Sequence, residues 1–142
     1  MNTLELRWDE RKARPKTNEQ ARKFLDFLIN GKSLLGLLNC DSGLISPFGW
    51  AENKVYEKEI LKQFRLQKPS DLETGRIMLY VCAACGDISC GAITFSIKDL
   101  GDRIQWLDFG SESDFGEIEF INFPALIFDR QQYFKAFTAV RF

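Results

Sequence analysis

Apolar and polar residues alternate through the second half of the chain in the way that β-strands require. Ala92–Ile97 alternates strictly, Arg103–Phe109 does the same, and Ile77–Cys82 is a continuous apolar run typical of a strand buried on both faces. Ile118–Ile121 adds a further short candidate strand. Because only short links separate these segments, they predict an antiparallel meander; parallel neighbours would need long crossovers.

The alternation also assigns the side chains of residues 103–109 to the two faces of their strand. Ile104, Trp106 and Asp108 are expected on one face, and Leu107 and Phe109 on the other. Asp108 is then either a polar residue bonded to backbone at the end of the sheet or a functional carboxylate.

The N-terminal part of the chain predicts a strand followed by a helix. Leu4–Trp8 alternates between apolar and polar residues and suits a short edge strand. After a basic loop, Thr17 can cap a short helix that has Gln20 at the capping-box position. The apolar face of this helix would consist of Ala21, Phe24 and Leu25.

The dipeptide Asn30-Gly31 indicates a change of chain direction. Asn-Gly favours positive φ at both central positions of a turn, which predicts a tight β-hairpin between the apolar residues on either side. The alternative is a helix that continues through Ile29, with Gly31 as its C-terminal cap.

Two later segments have helical patterns. Ala51–Gln67 is the clearest helix, and its buried stripe is expected to comprise Val55, Ile60, Leu61 and Phe64. Near the end of the chain, Asp129 is a good N-cap, Gln132 occupies the capping-box position and Phe128 can staple onto Tyr133. The buried stripe of this last helix would consist of Tyr133, Phe137 and Val140.

These elements predict a single α+β domain over residues 1–142. We expect an antiparallel sheet meander of about four to six strands with helices packed on one face. Within the domain, residues 1–26 would form a basic N-terminal segment and residues 27–142 the core.

Composition excludes several kinds of chemistry. The chain has no histidine, so it has no Ser-His-Asp triad, no Cys-His pair and no histidine-ligated metal. Walker and dinucleotide-binding loops are missing from the sequence as well. The net charge of −1 lacks the basic excess of nucleic-acid-binding domains. The sequence predicts neither a membrane span nor a signal peptide, which favours a cytoplasmic protein with reduced cysteines.

The near-neutral net charge hides two charged segments. Residues 7–23 are rich in lysine and arginine, and residues 108–119 contain five acids and no base. The acidic stretch is either a solvated face or a surface that attracts a basic partner. The basic segment is the alternative candidate for a binding surface. The five acids are Asp108, Glu112, Asp114, Glu117 and Glu119.

Three cysteines crowd one predicted turn between strands: Cys82, Cys85 and Cys90. The first interpretation is a zinc site, in which Cys40 or Asp87 would have to supply the fourth ligand. The second is thiol redox chemistry, although a β-turn lacks the helix N-terminus that activates such thiols in thioredoxin-like motifs. The third is architecture, because buried cysteine behaves as a small hydrophobic residue. We favour the architectural interpretation, which predicts that the protein holds no cofactor.

The chain resembles a family of small, mostly uncharacterised bacterial proteins over roughly residues 27–137. The pattern Tyr-Val-Cys-x-x-Cys-Gly-Asp-x-x-Cys-Gly-Ala at residues 80–92 is its most specific part. It is accompanied by residues 29–34 (Ile-Asn-Gly-Lys-Ser-Leu), 45–50 (Ile-Ser-Pro-Phe-Gly-Trp), 106–109 (Trp-Leu-Asp-Phe) and 128–133 (Phe-Asp-Arg-Gln-Gln-Tyr).

Chains of this size and kind resemble immunity proteins of contact-dependent growth inhibition and related polymorphic toxin systems. The resemblance implies a cytoplasmic, non-enzymatic protein that binds and neutralises a cognate toxin domain, for instance a nuclease. The acidic stretch would then contact the toxin, with Phe115 as an apolar anchor. The alternative function is a zinc- or thiol-dependent protein centred on the cysteine turn. The expected contact residues are Asp108, Glu112, Asp114, Phe115, Glu117 and Glu119.

Overall fold

Strands make up most of the regular structure in the computed structural model, which describes residues 1–11, 22–39, 44–49, 54–82, 91–113 and 117–140. The strands are β1 (Leu4–Arg11), β2 (Arg22–Ile29), β3 (Lys32–Ser33), β4 (Leu44–Ile45), β5 (Ile77–Cys82), β6 (Ala92–Asp99), β7 (Arg103–Glu112), β8 (Glu119–Phe120) and β9 (Leu126–Asp129). The helices are α1 (Leu34–Leu37), α2 (Lys54–Phe64) and α3 (Arg130–Ala136), and a 3₁₀ turn follows at Phe137–Ala139.

The strands form two antiparallel sheets. The smaller sheet has the order β1-β2-β3, and the larger one has the order β4-β5-β6-β7-β8. β9 also pairs with β7, along residues 103–106, whereas β8 pairs with residues 110–111. The meander β5–β6–β7 and the α+β class are confirmed. The edge strand β1 and the β2–β3 hairpin were predicted, but the pairing of β1 with β2 was not, because the sequence suggested a helix over the first part of β2.

The helix predicted around residues 17–25 is wrong over its described part. Phe24 and Leu25 lie in β2, where Leu25 pairs with Trp8 of β1 and donates its backbone N–H to the Phe48 carbonyl at 2.9 Å. Long-range pairing has overridden local propensity here. Thr17, Gln20 and Ala21 lie outside the described residues. Residues of both β1 and β2 belong to the core, including Leu4, Leu6 and Leu25. The core therefore does not begin at residue 27, as the sequence suggested.

The hairpin at Asn30-Gly31 is confirmed. Both residues have positive φ, 53° and 85°, and Ile29 of β2 pairs with Lys32 of β3. The helical alternative is wrong. The second arm of the hairpin is short because Ser33 ends it and caps α1, where its hydroxyl accepts a hydrogen bond from the Gly36 backbone N–H.

Helix α2 buries a different stripe from the expected one. Ile60 and Phe64 are buried, but Val55 is 70% exposed. Glu57 is buried in its place and accepts a 2.6 Å hydrogen bond from the Gly49 backbone N–H. Since a helix advances about 100° per residue, Val55 points roughly opposite to Glu57 and away from the core. Residues 51–53, the expected start of this helix, lie outside the described residues.

Helix α3 begins as predicted. Asp129 is the N-cap and accepts a hydrogen bond from the Gln132 backbone N–H at 3.0 Å, and the Phe128 and Tyr133 rings are in contact, tilted by 35°, with their centroids 5.7 Å apart. The Gln132 side chain, however, bonds to both backbone groups of Leu4 and so ties β1 to α3. The expected stripe is buried: Tyr133, Phe137 and Val140.

The core lies between the two sheets and is largely aromatic. Trp106 of β7 is fully buried at its centre, with Phe27 of the smaller sheet 5.7 Å away and Phe64 of α2 at the same distance. Tyr133 of α3 meets it edge-on at 5.9 Å. The same ring thus joins both sheets and both longer helices.

A buried polar cluster also links the two sheets. Asp26 of β2 is 2% exposed and accepts hydrogen bonds from the Tyr80 hydroxyl of β5 at 2.6 Å and from the Ser33 hydroxyl at 2.5 Å. Desolvation raises the pKa of the Asp26 carboxyl above its ordinary value, although these hydrogen bonds act in the opposite direction.

This raised pKa predicts a pH-dependent loss of stability. A carboxyl whose pKa is higher in the folded state contributes stability that is present below about pH 4 and lost as the pH rises through the folded-state pKa. For one group the slope is at most about 1.4 kcal/mol per pH unit. Asp26→Asn lacks this carboxyl. In urea unfolding, its free energy of unfolding should therefore rise relative to that of the wild type as the pH increases from about 4 to 7.

The control for this experiment is Asp102→Asn, which removes a carboxylate whose side chain is 82% exposed. It should leave the pH profile of the wild type unchanged. A constant difference between Asp26→Asn and the wild type across this pH range would contradict the prediction.

Candidate functional site

Three exposed acids of the 108–119 stretch lie at one edge of the larger sheet. Asp108 lies in β7, Glu119 lies in β8, and Glu117 lies two residues before β8. Asp114 and Phe115 lie outside the described residues. We refer to Asp108, Glu117, Glu119 and the neighbouring Phe120 as the acidic edge.

A β-bulge turns Asp108 towards solvent. Ser96 of β6 pairs with Leu107 and Thr94 pairs with Gly110, so Asp108 and Phe109 together face the single residue Phe95. Asp108 adopts a φ of 56°, a conformation that Asp tolerates better than most residues.

Because of the bulge, the side chains of Asp108 and Phe109 lie on the opposite faces of β7 from those predicted. Phe109 is fully buried, and its ring lies 6.0 Å from that of Phe95, which also contacts Trp106 at 4.7 Å. Phe109 therefore packs in the same core as Trp106, whereas Asp108 is exposed rather than sharing the buried face of Trp106.

Glu112 differs from its expected role as a contact residue because it is only 7% exposed. Its carboxylate lies 3.4 Å from Nε of the buried Arg76. It also accepts hydrogen bonds from the hydroxyls of Thr94 at 2.9 Å and Thr74 at 3.0 Å. Glu112 is therefore a buried partner of Arg76 beneath the acidic edge.

Arg76 connects this pair to the bulge. Its Nε donates to the Thr94 hydroxyl at 2.9 Å, and its Nη2 donates to the carbonyls of Thr94, at 2.9 Å, and Asp108. Burial lowers the pKa of the guanidinium, while the nearby Glu112 and Asp108 carboxylates act in the opposite direction. An arginine side chain nevertheless keeps its charge in proteins, so this cation fixes the backbone from which Asp108 projects.

Phe120 is the exposed aromatic residue of the acidic edge. One face of its ring lies over the Arg76 guanidinium, 5.3 Å from the ring centroid, yet the residue is 65% exposed. It pairs with Gly110, where an added Cβ would come within 2.8 Å of the Ile118 side chain. The glycine therefore allows β8 to approach β7 closely.

Sequence reasoning missed both Arg76 and Phe120. Phe120 is one of 13 phenylalanines, and nothing in its neighbourhood separates it from those of the core. Arg76 offered a weak signal, since it directly precedes the buried strand β5. Its partner Glu112 lies far along the chain, and so the pairing could not be read from local pattern.

A cleft of about 390 Å³ adjoins the acidic edge. The carboxylates that line this cleft are those of Glu112, Glu117 and Glu119, and two serines lie among them. None of its described lining residues is basic. The lining residues are Gly91, Ser111, Glu112, Ser113, Glu117, Ile118 and Glu119.

The cysteine turn connects β5 and β6, as predicted. Cys82 ends β5 and is half-buried with a free thiol. Cys40, Cys85, Asp87 and Cys90 lie outside the described residues. Among the residues that are described, no three Cys, Asp or Glu side chains are grouped in a way that could hold a metal ion. The zinc, redox and architectural interpretations of the turn stay predictions.

The basic N-terminal segment is described only at its ends. Arg7 of β1 is exposed and pairs with Glu5 at 3.0 Å, and Lys23 of β2 is exposed as well. The rival surface predicted there lies mainly within residues 12–21, which are outside the described part of the chain.

None of the described helices is both long and apolar enough to cross a membrane. Comparison of the chain with protein-family models, curated proteins and solved structures finds no match. The resemblance to the bacterial family with the cysteine pattern therefore stays a prediction, carried by the residues quoted for it.

Proposed function

We propose that this protein is a non-enzymatic immunity protein that binds and neutralises a basic toxin domain through the acidic edge. The observation that carries the proposal is the exposed Phe120 ring on β8, a strand whose opposite face carries the exposed carboxylate of Glu119 and which the exposed Glu117 precedes by two residues. The proposed site of action is the cytoplasm, and the proposed mechanism involves neither catalysis nor a cofactor.

An exposed aromatic residue on a strand that also carries exposed charges is typical of a protein-binding surface. Binding energy in interfaces is concentrated in a few residues, among which aromatic side chains are enriched, and polar groups form the surrounding rim. The carboxylates add attraction at longer range, which speeds association with a basic partner and disfavours acidic ones. A nuclease, which needs positive charge to hold phosphates, is a suitable partner.

The arrangement beneath the surface supports this role. The Arg76 guanidinium packs against one face of Phe120 and bonds to the backbone carbonyl of Asp108. Both contact residues are therefore held in place before a partner arrives, which reduces the entropy lost on binding. Glu112 is not proposed as a contact because it is buried in the pair with Arg76. Asp114 and Phe115 remain proposed contacts.

Growth rescue tests the proposal. The chain is co-expressed with the C-terminal domain of the toxin encoded immediately upstream, and the wild type is expected to restore growth. Phe120→Ala should weaken toxin binding by about thirtyfold, the effect of a residue worth about 2 kcal/mol in an interface. The double variant Glu117→Lys/Glu119→Lys should slow association and reduce its dependence on salt.

Matched controls lie elsewhere on the surface. Val55→Ala truncates an apolar side chain that is 70% exposed on α2, and Asp102→Lys reverses an exposed charge between β6 and β7. Both should protect as well as the wild type. A wild-type chain that gives no protection, or the absence of a toxin gene beside it, would count against the immunity function. Full protection by the acidic-edge variants would count against this surface.

A further inference from the structure

Strand β8 is an open edge of the larger sheet. The strand order ends at β8, and no described strand lies on its outer side. The Ile121 backbone N–H donates to the carbonyl of Phe109, its direct partner across the ladder, at 2.8 Å. Because bonded and non-bonded pairs alternate in antiparallel strands, the next pair, Phe120 with Gly110, is non-bonded. The N–H and C=O of Phe120 therefore point away from β7.

The outer edge of the smaller sheet is protected in a way that β8 is not. The exposed side chains of β1 alternate in sign through Glu5, Arg7 and Asp9. The Gln132 side chain also bonds to both backbone groups of Leu4 at the start of this strand. Mixed charges and covered backbone are common protections against the addition of a foreign strand. Both strands carry an exposed ring, Trp8 on β1 and Phe120 on β8, so they differ in charge pattern and in covered backbone: Glu117 and Glu119 give the β8 edge charge of one sign only.

We propose that β8 is a docking edge to which an extended basic segment of the partner adds as a further strand. This inference rests on the proposed function and specifies how the toxin binds. The partner backbone would bond to the N–H and C=O of Phe120, and one of its apolar side chains would cover the ring. Its basic side chains would meet Glu117 and Glu119.

Charge argues against a second copy of this chain as the occupant. Pairing two β8 strands edge to edge would bring the carboxylates of Glu117 and Glu119 against those of the other copy. Like charges placed opposite each other across strands are destabilising. A basic segment turns the same contacts into attraction, so the edge discriminates between partners by charge.

A model peptide tests strand addition directly. The probe is a capped heptapeptide of alternating lysine and valine, added to the isotope-labelled wild-type protein at millimolar concentration. Hydrogen exchange at the Phe120 amide, followed by NMR, is expected to slow at least tenfold. The same peptide with N-methyl groups on alternate residues cannot bond to the edge, and a peptide of glutamate and valine has the wrong charge. Neither should protect this amide.

Variants separate the backbone from the side chains. Phe120→Pro removes the outward N–H together with the ring, without removing a bond to β7, and edge strands tolerate proline. Phe120→Ala keeps the N–H and loses the ring. We expect Phe120→Ala to weaken binding of the basic peptide and Phe120→Pro to weaken it further, and the difference between the two measures the backbone bond. Glu119→Lys should weaken binding about tenfold, whereas Asp102→Lys should have no effect.

Several results would overturn the docking edge. They are an unprotected Phe120 amide, equal binding of the N-methylated peptide, and a dimer in light scattering that Phe120→Ala dissociates. Growth rescue keeps the two proposals apart. Rescue by wild type and Phe120→Pro alike would reject strand addition while the immunity function stands. Protection of the amide by the peptide without any rescue by the wild type would reject the immunity function alone.

Discussion

Replacing Glu112 with alanine is expected to lower the free energy of unfolding by about 3 kcal/mol, because it leaves the Arg76 guanidinium buried without its counter-charge. Both side chains are less than one-tenth exposed, at 6% and 7%, so the guanidinium would stay largely desolvated after the carboxylate is lost. Thr94 would lose a hydrogen-bond acceptor as well. Urea unfolding followed by circular dichroism measures the change.

Two further variants show whether the loss comes from an unpaired charge. Arg76→Met/Glu112→Met removes both charges and should recover most of the lost stability, since apolar replacements for a buried ion pair are often neutral or better. Thr74→Val removes only one partner of Glu112, and its hydroxyl lies at the exposed end of the network, so the loss should stay near 1 kcal/mol. A double variant less stable than Glu112→Ala would show that the pair itself is strongly stabilising.

Trp106→Ala is expected to cost about 3–5 kcal/mol, the usual range for removing a large aromatic side chain from a core. Trp106 is fully buried and touches rings from both sheets and both longer helices. These elements meet around one side chain, so none of them can move to fill the cavity without losing contacts elsewhere. Thermal and urea unfolding should both show the loss, with the transition remaining cooperative.

Trp8→Ala is the matched control, because the side chain that it truncates is 60% exposed. Its cost should be below about 1 kcal/mol. Trp106→Phe should lie between the two variants, since it keeps a ring but loses the indole N–H bond to the Tyr133 hydroxyl at 3.3 Å. If Trp8→Ala and Trp106→Ala lowered the free energy of unfolding equally, Trp106 would not have the central role that its contacts indicate.

Local signals predicted the elements whose causes lie within a few residues. The Asn30-Gly31 hairpin and the Asp129 cap depend on φ preferences and a side chain three residues away, and both are confirmed. β5 was predictable for a similar reason, because an unbroken apolar run suits a strand covered on both faces.

The errors share a long-range cause. Leu25 belongs to β2 because β1 pairs with it, and Phe109 reverses its face because a bulge in the pairing with β6 inserts Asp108. Neither the pairing nor the bulge has a signal in the sequence close to the residue that it affects. The acidic edge was predictable as a charged stretch, but its aromatic residue and the arginine beneath it were not, because both depend on which strands become neighbours.

The bond between Gln132 and Leu4 spans 128 residues of sequence, which has a consequence for how the protein is made. Because synthesis runs from the N-terminus, β1 is made well before the side chain that holds its first residue. Contacts of such separation close late and slow folding. The pairing of β1 with β2 can therefore form before α3 is made, whereas the anchoring of β1 through Gln132 must wait for α3.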